Sequence, residues 1–197
     1  MGKEGEMSLK KKVDAEEALP VARNLLNILS PFCERCEIVG SLRRRRGFVG
    51  DVELLYIPKF RLIAADLFSA KASKMANMAD DLIGKLLADG VLNYRQNCDG
   101  HTNWGEVNKF AVHKASGLAI DLFTTTELCW WNALVMRTGG KQNNLNITSA
   151  ARRLGWTFEA SGSGFRSLRG LPYHHTTSEQ DVYEHVRLPY LAPENRP

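Results

Sequence analysis

Two apolar runs interrupted by carboxylates constrain this chain more than any other feature. Residues 49–57 carry Asp51 and Glu53 two positions apart, and residues 118–123 carry Asp121. Residues i and i+2 of a strand point to one face, so Asp51 and Glu53 stand side by side while Val52 and Leu54 face the opposite way. Such segments fit a sheet packed on one face and partly wet on the other. If Asp121 lies on a neighbouring strand, three carboxylates converge, and hard divalent cations such as Mg2+ bind oxygen donors of this kind while offsetting their repulsion.

The remaining periodicity supplies helices to cover that sheet. Residues 15–29 place Ala18, Leu19, Ala22, Leu25, Leu26 and Leu29 on one helical face, with Asp14 as the cap, Glu16 and Glu17 in the first turn, and Ser30-Pro31 as the stop. Met75, Met78, Leu82, Ile83, Leu86 and Leu87 describe a second amphipathic helix, its methionines read as core, closed by Gly90. Short strands are expected at 37–40 and 91–95. A hairpin is expected from 110–113 and 118–123, turned at Ala115-Ser116-Gly117. Beyond Thr126 the pattern is helical, over 128–136 and 144–154, broken at Thr138-Gly139-Gly140. Turns at 162–164 and 170–172 flank short strands, and 178–186 reads as a last helix. A boundary near 127 separates a sheet-rich unit from a smaller helical one.

With 197 residues and 44% hydrophobic content, the chain suffices for one large domain or two small ones. Its 26 Lys and Arg against 22 Asp and Glu leave +4, an excess that suits a polyanionic partner without establishing one. No run has the length and purity of a membrane span, and residues 1–12 are charged and lack a signal-peptide core. The expectation is an intracellular, non-secreted protein, cytoplasmic or wherever its nucleic acid lies, with no membrane partner. Cys33, Cys36, Cys98 and Cys129 are too scattered for a disulfide framework. The CxxC at 33–36 fits half a zinc site or a redox pair, but no second half answers it. His174-His175 reads as a loop or surface pair, since adjacent strand residues point apart.

Gly40-Ser41 precedes Asp51 by an arginine-rich loop, Arg43 to Arg46. Glycine lets backbone NH groups and the serine hydroxyl approach a phosphate, and the arginines supply charge. This order points to metal-assisted nucleotidyl transfer, which depends on positioning and on neutralising non-bridging oxygens. The alternative keeps Asp51 as a turn residue, Glu53 on a wet sheet face, Asp121 as a strand-edge charge and the arginines as a solvated patch.

Gly40-Ser41, Arg43-Arg44, Gly50-Asp51-Val52-Glu53 and Ile120-Asp121-Leu122-Phe123 resemble the nucleotidyltransferase superfamily pattern of a Gly-Ser, a paired carboxylate and a distant third acid. More narrowly, the chain is similar to the family X DNA polymerases of the polymerase beta type. Arg137-Thr138-Gly139-Gly140, Asn144 and Gly155-Trp156 resemble that family's thumb turn, following Asn and Gly-aromatic pair, and the stretch containing Leu188-Pro189-Tyr190-Leu191 resembles its usual C-terminal end. The resemblance runs from about residue 13 to the end. It implies palm and thumb alone, without the lyase domain or helix-hairpin-helix units.

The implied fold is α+β: a nucleotidyltransferase palm with a small mixed or antiparallel sheet flanked by helices, then a mostly helical thumb with a short β-hairpin. Residues 1–30 are the tail and leading helix, 31–127 the palm and 128–197 the thumb. The resemblance makes Asp51, Glu53 and Asp121 ligands of two Mg2+ ions, with Mn2+ as the substitute, and gives Asp121 the activation of the primer 3'-hydroxyl. Gly40, Ser41, Arg44, Arg137, Gly139, Asn144 and Lys12 would contact the nucleotide. Lys141, Arg152, Arg153, Arg166 and Arg169 would track DNA. The expected activity is template-directed addition of dNMP from dNTP to primer-template or gapped DNA, by a monomer, in gap filling or repair. The rival is a template-independent transferase, or one acting on RNA or another acceptor; a third reading is a silent nucleic-acid-binding module. Three departures bear on this: Glu53 replaces the commoner Asp, Met136-Arg137 replaces an aromatic pair that excludes ribose, and Thr148 replaces an arginine that monitors the templating base, implying low fidelity.

Overall fold

The computed structural model describes residues 12–63, 74–96 and 100–197, so Cys98 and the start of the N-terminal tail lie outside the described residues. Strand β1 (Val13–Asp14) leads into helix α1 (Ala15–Leu29), which Asp14 caps by accepting a 2.8 Å hydrogen bond from the Glu16 amide. A 3-10 turn at Ser30–Phe32 then feeds β2 (Cys33–Ile38). The short helix α2 (Gly40–Arg43) and β3 (Phe48–Val49) precede β4 (Val52–Pro58). The expected single strand over 49–57 is therefore broken at Gly50-Asp51, because Val49 pairs with Val13 while Val52 pairs with Ile120.

Strands β5 (Phe60–Ile63) and β6 (Lys74–Asn77) pair with each other, and α3 (Met78–Ala88) follows. Met75 is thus a strand residue, 54% exposed rather than core, because Asn77 caps the helix by accepting from the Asp80 amide at 3.1 Å. Strands β7 (Leu92–Tyr94), β8 (Asn108–His113) and β9 (Ala119–Thr124) complete a five-stranded sheet of order β2-β4-β9-β8-β7. Only the β4–β9 pairing is parallel, so the sheet is mixed, as expected.

Alternation sorts that sheet into two apolar faces. Val52, Leu54, Tyr56, Ile120 and Leu122 pack with Ala18, Ala22 and Leu25 of α1 and with Ala79 and Ile83 of α3. Leu55, Ile57 and Phe123 pack on the other side against Trp130, Ala133 and Leu134 of α4 (Trp130–Thr138). The first helix beyond the expected boundary at 127 therefore covers one face of the five-stranded sheet.

Helix α5 (Lys141–Arg153) follows after Gly139 and Gly140, both at positive φ, where a side chain would strain the turn. Strands β10 (Trp156–Phe158), β11 (Gly164–Ser167) and β12 (His174–His175) form a three-stranded sheet, one strand more than the expected hairpin. Helix α6 (Glu179–His185), capped by Ser178, packs Val182 and Tyr183 into this second core. Buried Asn132 ties α4 to it, donating to the Glu159 and Gly164 carbonyls at 2.8 and 2.9 Å and accepting from Thr176. No helix among the described residues is long and apolar enough to cross a membrane.

Candidate active site

Glu53 and Asp121 are register partners on the parallel strands β4 and β9. Alternation turns both to the face that carries Leu55 and Phe123, and Asp51 lies two residues ahead of Glu53 in the lead-in to β4. The expected pair of acids on one strand is therefore only half realised, with Asp51 outside β4, while the strand order brings Asp121 beside Glu53. Among the described residues no group of three or more His, Cys, Asp or Glu side chains is gathered as a ready metal cage.

What surrounds the acids explains their present orientation. Gly40 has φ +66, and a Cβ built on it would fall 1.5 Å from Glu53 Oε2. The longer Glu53 side chain thus reaches into the space that glycine leaves. Asp121, 5% exposed, is paired through Oδ1 with Arg95 Nη1 at 2.6 Å. Two more guanidiniums stand near. Burial lowers the Arg137 pKa, partly opposed by the fields of Glu53 and Asp121; burial and neighbouring Arg46 lower that of Arg44, opposed by Glu53 and Asp51.

The other expected nucleotide contacts assemble around the α4–α5 turn. Arg44 donates to the Thr138 carbonyl, and a Cβ on Gly139 would meet Arg44 Nη1 and Asn144 Nδ2, both at 3.5 Å. Asn144 Nδ2 donates to the Met136 carbonyl at 2.9 Å. Ser41 Oγ, Arg44 Nε and Asn144 Oδ1 are buried without a hydrogen-bond partner. Arg44 and Asn144 lie at this turn and Ser41 in α2, and buried polar atoms left without a protein partner are uncommon. Arg137 stacks 3.8 Å over the Phe123 ring and donates to Asn108 Oδ1 at 3.0 Å. Lys12 is exposed ahead of β1.

The arginine run, read from the sequence as one source of charge, is divided by the structure. Arg43 donates to Thr138 Oγ1 at 2.7 Å and holds Glu179 through both carboxylate oxygens at 2.9 and 2.8 Å. Arg196, 0% exposed, grips the same Glu179 at 2.8 Å, and Arg46 donates to the Arg196 carbonyl. Arg43 is therefore a strap between α2 and α6. Arg95, Glu179 and Arg196 were not legible as site-building residues, because each acts across a pairing that no local pattern encodes.

Lys141, Arg152, Arg153, Arg166 and Arg169 are all exposed in the C-terminal unit, with Arg166 paired to Glu159 at 2.8 Å. Cys33 and Cys36 are free thiols on β2; a hydrogen bond with Cys33, then burial, pushes the Cys36 thiol up, which disfavours thiolate chemistry. His174 and His175 point apart: His174 pairs with Asp181 at 2.9 Å, and His175 meets Ser163. A cavity of about 820 Å3 lies further along the acidic face, lined by Leu55, Phe123, Ala133 and Arg137, rather than over the carboxylates.

A mixed sheet thus carries Glu53 and Asp121 on adjacent parallel strands, and a Gly-Gly turn leads from α4 into α5 and the second, three-stranded sheet. Residues 133–197 match the DNA polymerase beta thumb family. The chain is similar to the crystal structure of Leishmania infantum polymerase beta in a ternary P/T complex, with a TM-score of 0.70 and 19% identity over 96% of this chain and 78% of that one. It is also similar to the ternary gap complex of the same polymerase, with a TM-score of 0.72 and 18% identity over 95% of this chain and 71% of that one. A search of curated protein sequences finds no match. The C-terminal third is thus similar to the polymerase beta thumb, and the chain as a whole shares the fold of those polymerase beta structures.

Proposed function

We propose that this protein is a template-directed DNA polymerase that adds dNMP from dNTP to a primer 3'-hydroxyl. The single observation that supports it best is the register pairing of Glu53 with Asp121, which sets two carboxylates side by side within the electrostatic reach of Arg137. The donor set is all oxygen and acidic, so Asp51, Glu53 and Asp121 suit two Mg2+ ions, with Mn2+ as substitute. When bound, the ions supply neutralisation of charge on the attacking and leaving oxygens.

The protein's own groups do the rest. Asp121 takes the proton of the primer 3'-hydroxyl as its oxygen attacks the α-phosphorus; the bond from that phosphorus to the bridging oxygen of the β-phosphate breaks, and pyrophosphate leaves. Ser41 Oγ and Arg44 hold the triphosphate, the former through a buried hydroxyl with no protein partner. Asn144 and Arg137 orient base and sugar beside Gly139. Lys141, Arg152, Arg153, Arg166 and Arg169 follow the duplex backbone from the thumb. The unit works as a monomer with residues 31–127 as palm and 128–197 as thumb, inside the cell wherever its DNA lies, in gap filling or repair.

Primer extension on gapped, recessed and single-stranded DNA, with dNTPs or rNTPs offered separately, tests this. Wild-type protein extends the gapped or recessed primer according to template, while Asp121→Asn retains nucleotide binding and loses extension. Full extension by Asp121→Asn overturns the assignment, and incorporation that ignores the template or prefers rNTPs moves the reading to a template-independent or RNA-directed transferase.

A further inference from the structure

We infer that Arg95 is a positioning residue for Asp121 and the built-in counter-cation of the carboxylate site; this rests on the polymerase reading of Asp121. Arg95 follows the edge strand β7, with β8 lying between it and β9. Its amide donates to the Phe110 carbonyl at 3.1 Å, its guanidinium lies 4.8 Å over the Phe110 ring, and its Nη1 ends 2.6 Å from Asp121 Oδ1. Phe110 and Asp121 are themselves register partners, so the side chain crosses the full width of β8 to reach its target.

The ion pair is dry. Arg95 Nη1 and Asp121 Oδ1 are both shut off from solvent, and the two side chains are 19% and 8% exposed. A ring face and a carboxylate fix this guanidinium, and a backbone bond fixes the main chain it springs from, so it holds one oxygen of Asp121 and with it the rotamer of the whole group. Arg44 and Arg137 have other anchors, the Thr138 carbonyl and Asn108. A fixed positive charge against a buried carboxylate does two things at once. It orients the second oxygen, and it opposes entry of any further cation, since like charges at short range in a poorly screened site repel strongly. Arg95 therefore keeps divalent-cation affinity low in the free protein while presenting Asp121 in one geometry.

Removal of the guanidinium separates this role from simple structural support, because the two make opposite predictions for metal affinity. Mn2+ is titrated into the free protein, without DNA or nucleotide, and bound ion is read by electron paramagnetic resonance. Arg95→Met binds Mn2+ about three- to tenfold more tightly than wild type. Its kcat for primer extension falls by about tenfold or more, with the dNTP KM unchanged. Arg95→Lys, which retains the charge without the fork, keeps near-wild-type Mn2+ affinity. Should Arg95→Met fail to fold, Arg95→Gln decides. Unchanged or weaker Mn2+ binding by the charge-removed variant overturns the counter-cation role, and unchanged kcat overturns positioning. Asp121→Asn run in parallel tells the failures apart: if it weakens Mn2+ binding and abolishes extension, a null result at Arg95 sinks only this inference. If it behaves as wild type, the reading of Asp121 falls too.

Discussion

Glu53 occupies the space that any side chain at Gly40 would need: a Cβ at position 40 would lie 1.5 Å from Glu53 Oε2. The glycine that opens α2 is therefore also the seat of the Glu53 carboxylate. Gly40→Ala is expected to cost about 1–2 kcal/mol for its left-handed φ alone and to push Glu53 out of place. Thermal unfolding gives the first effect. A loss of about 100-fold or more in kcat, exceeding the stability change, gives the second.

The same contact predicts non-additivity. Glu53→Asp withdraws the carboxylate by one methylene, so Gly40→Ala is less damaging in that background than in wild type. A double-mutant cycle on extension rate should show a coupling of about 1 kcal/mol or more. Strict additivity would mean the two residues do not interfere.

Glu179 holds Arg43 and fully buried Arg196 together, joining α2 to α6 and the chain's end. Glu179→Gln leaves two guanidiniums short of a counter-charge in a half-dry site and should destabilise by about 3 kcal/mol or more in urea unfolding. The pH dependence has a definite sign. Burial acts upward on the Glu179 carboxyl, but Arg43 and Arg196 outweigh it and hold the pKa below its ordinary 4.5. A depressed folded pKa gives stability that is full above about pH 4.5 and is lost as pH falls through the lowered value, so the wild-type advantage over Glu179→Gln shrinks on acidification.

Duplex DNA affinity should fall steeply with salt through the exposed thumb cations. Arg152→Ala with Arg153→Ala lowers the slope of log K against log salt by about two, affecting all sequences alike. Fluorescence anisotropy across a salt series measures it, and an unchanged slope would remove those two residues from the DNA path.

Much of the local structure was legible. The helix over 15–29 and its Asp14 cap follow from period and capping chemistry, and the break between α4 and α5 at Gly139 and Gly140 from glycine alone. Misplacements fell where a tertiary contact overrode local pattern. Met75 has helical spacing to Met78 yet pairs in a hairpin, and the apolar run from 49 breaks because its two halves find different partners.

The sequence by itself determined that Glu53 alternates with Val52 and Leu54 and that Asp14 caps the helix over 15–29, because period and side-chain chemistry act over a few residues. Only the tertiary structure decided that β9 lies parallel to β4, that Arg95 crosses β8 to Asp121, and that Arg43 meets Glu179 across 136 positions. Those pairings depend on strand order and on which helix covers which sheet face. These are set by the burial of the whole core, and no short segment carries that information.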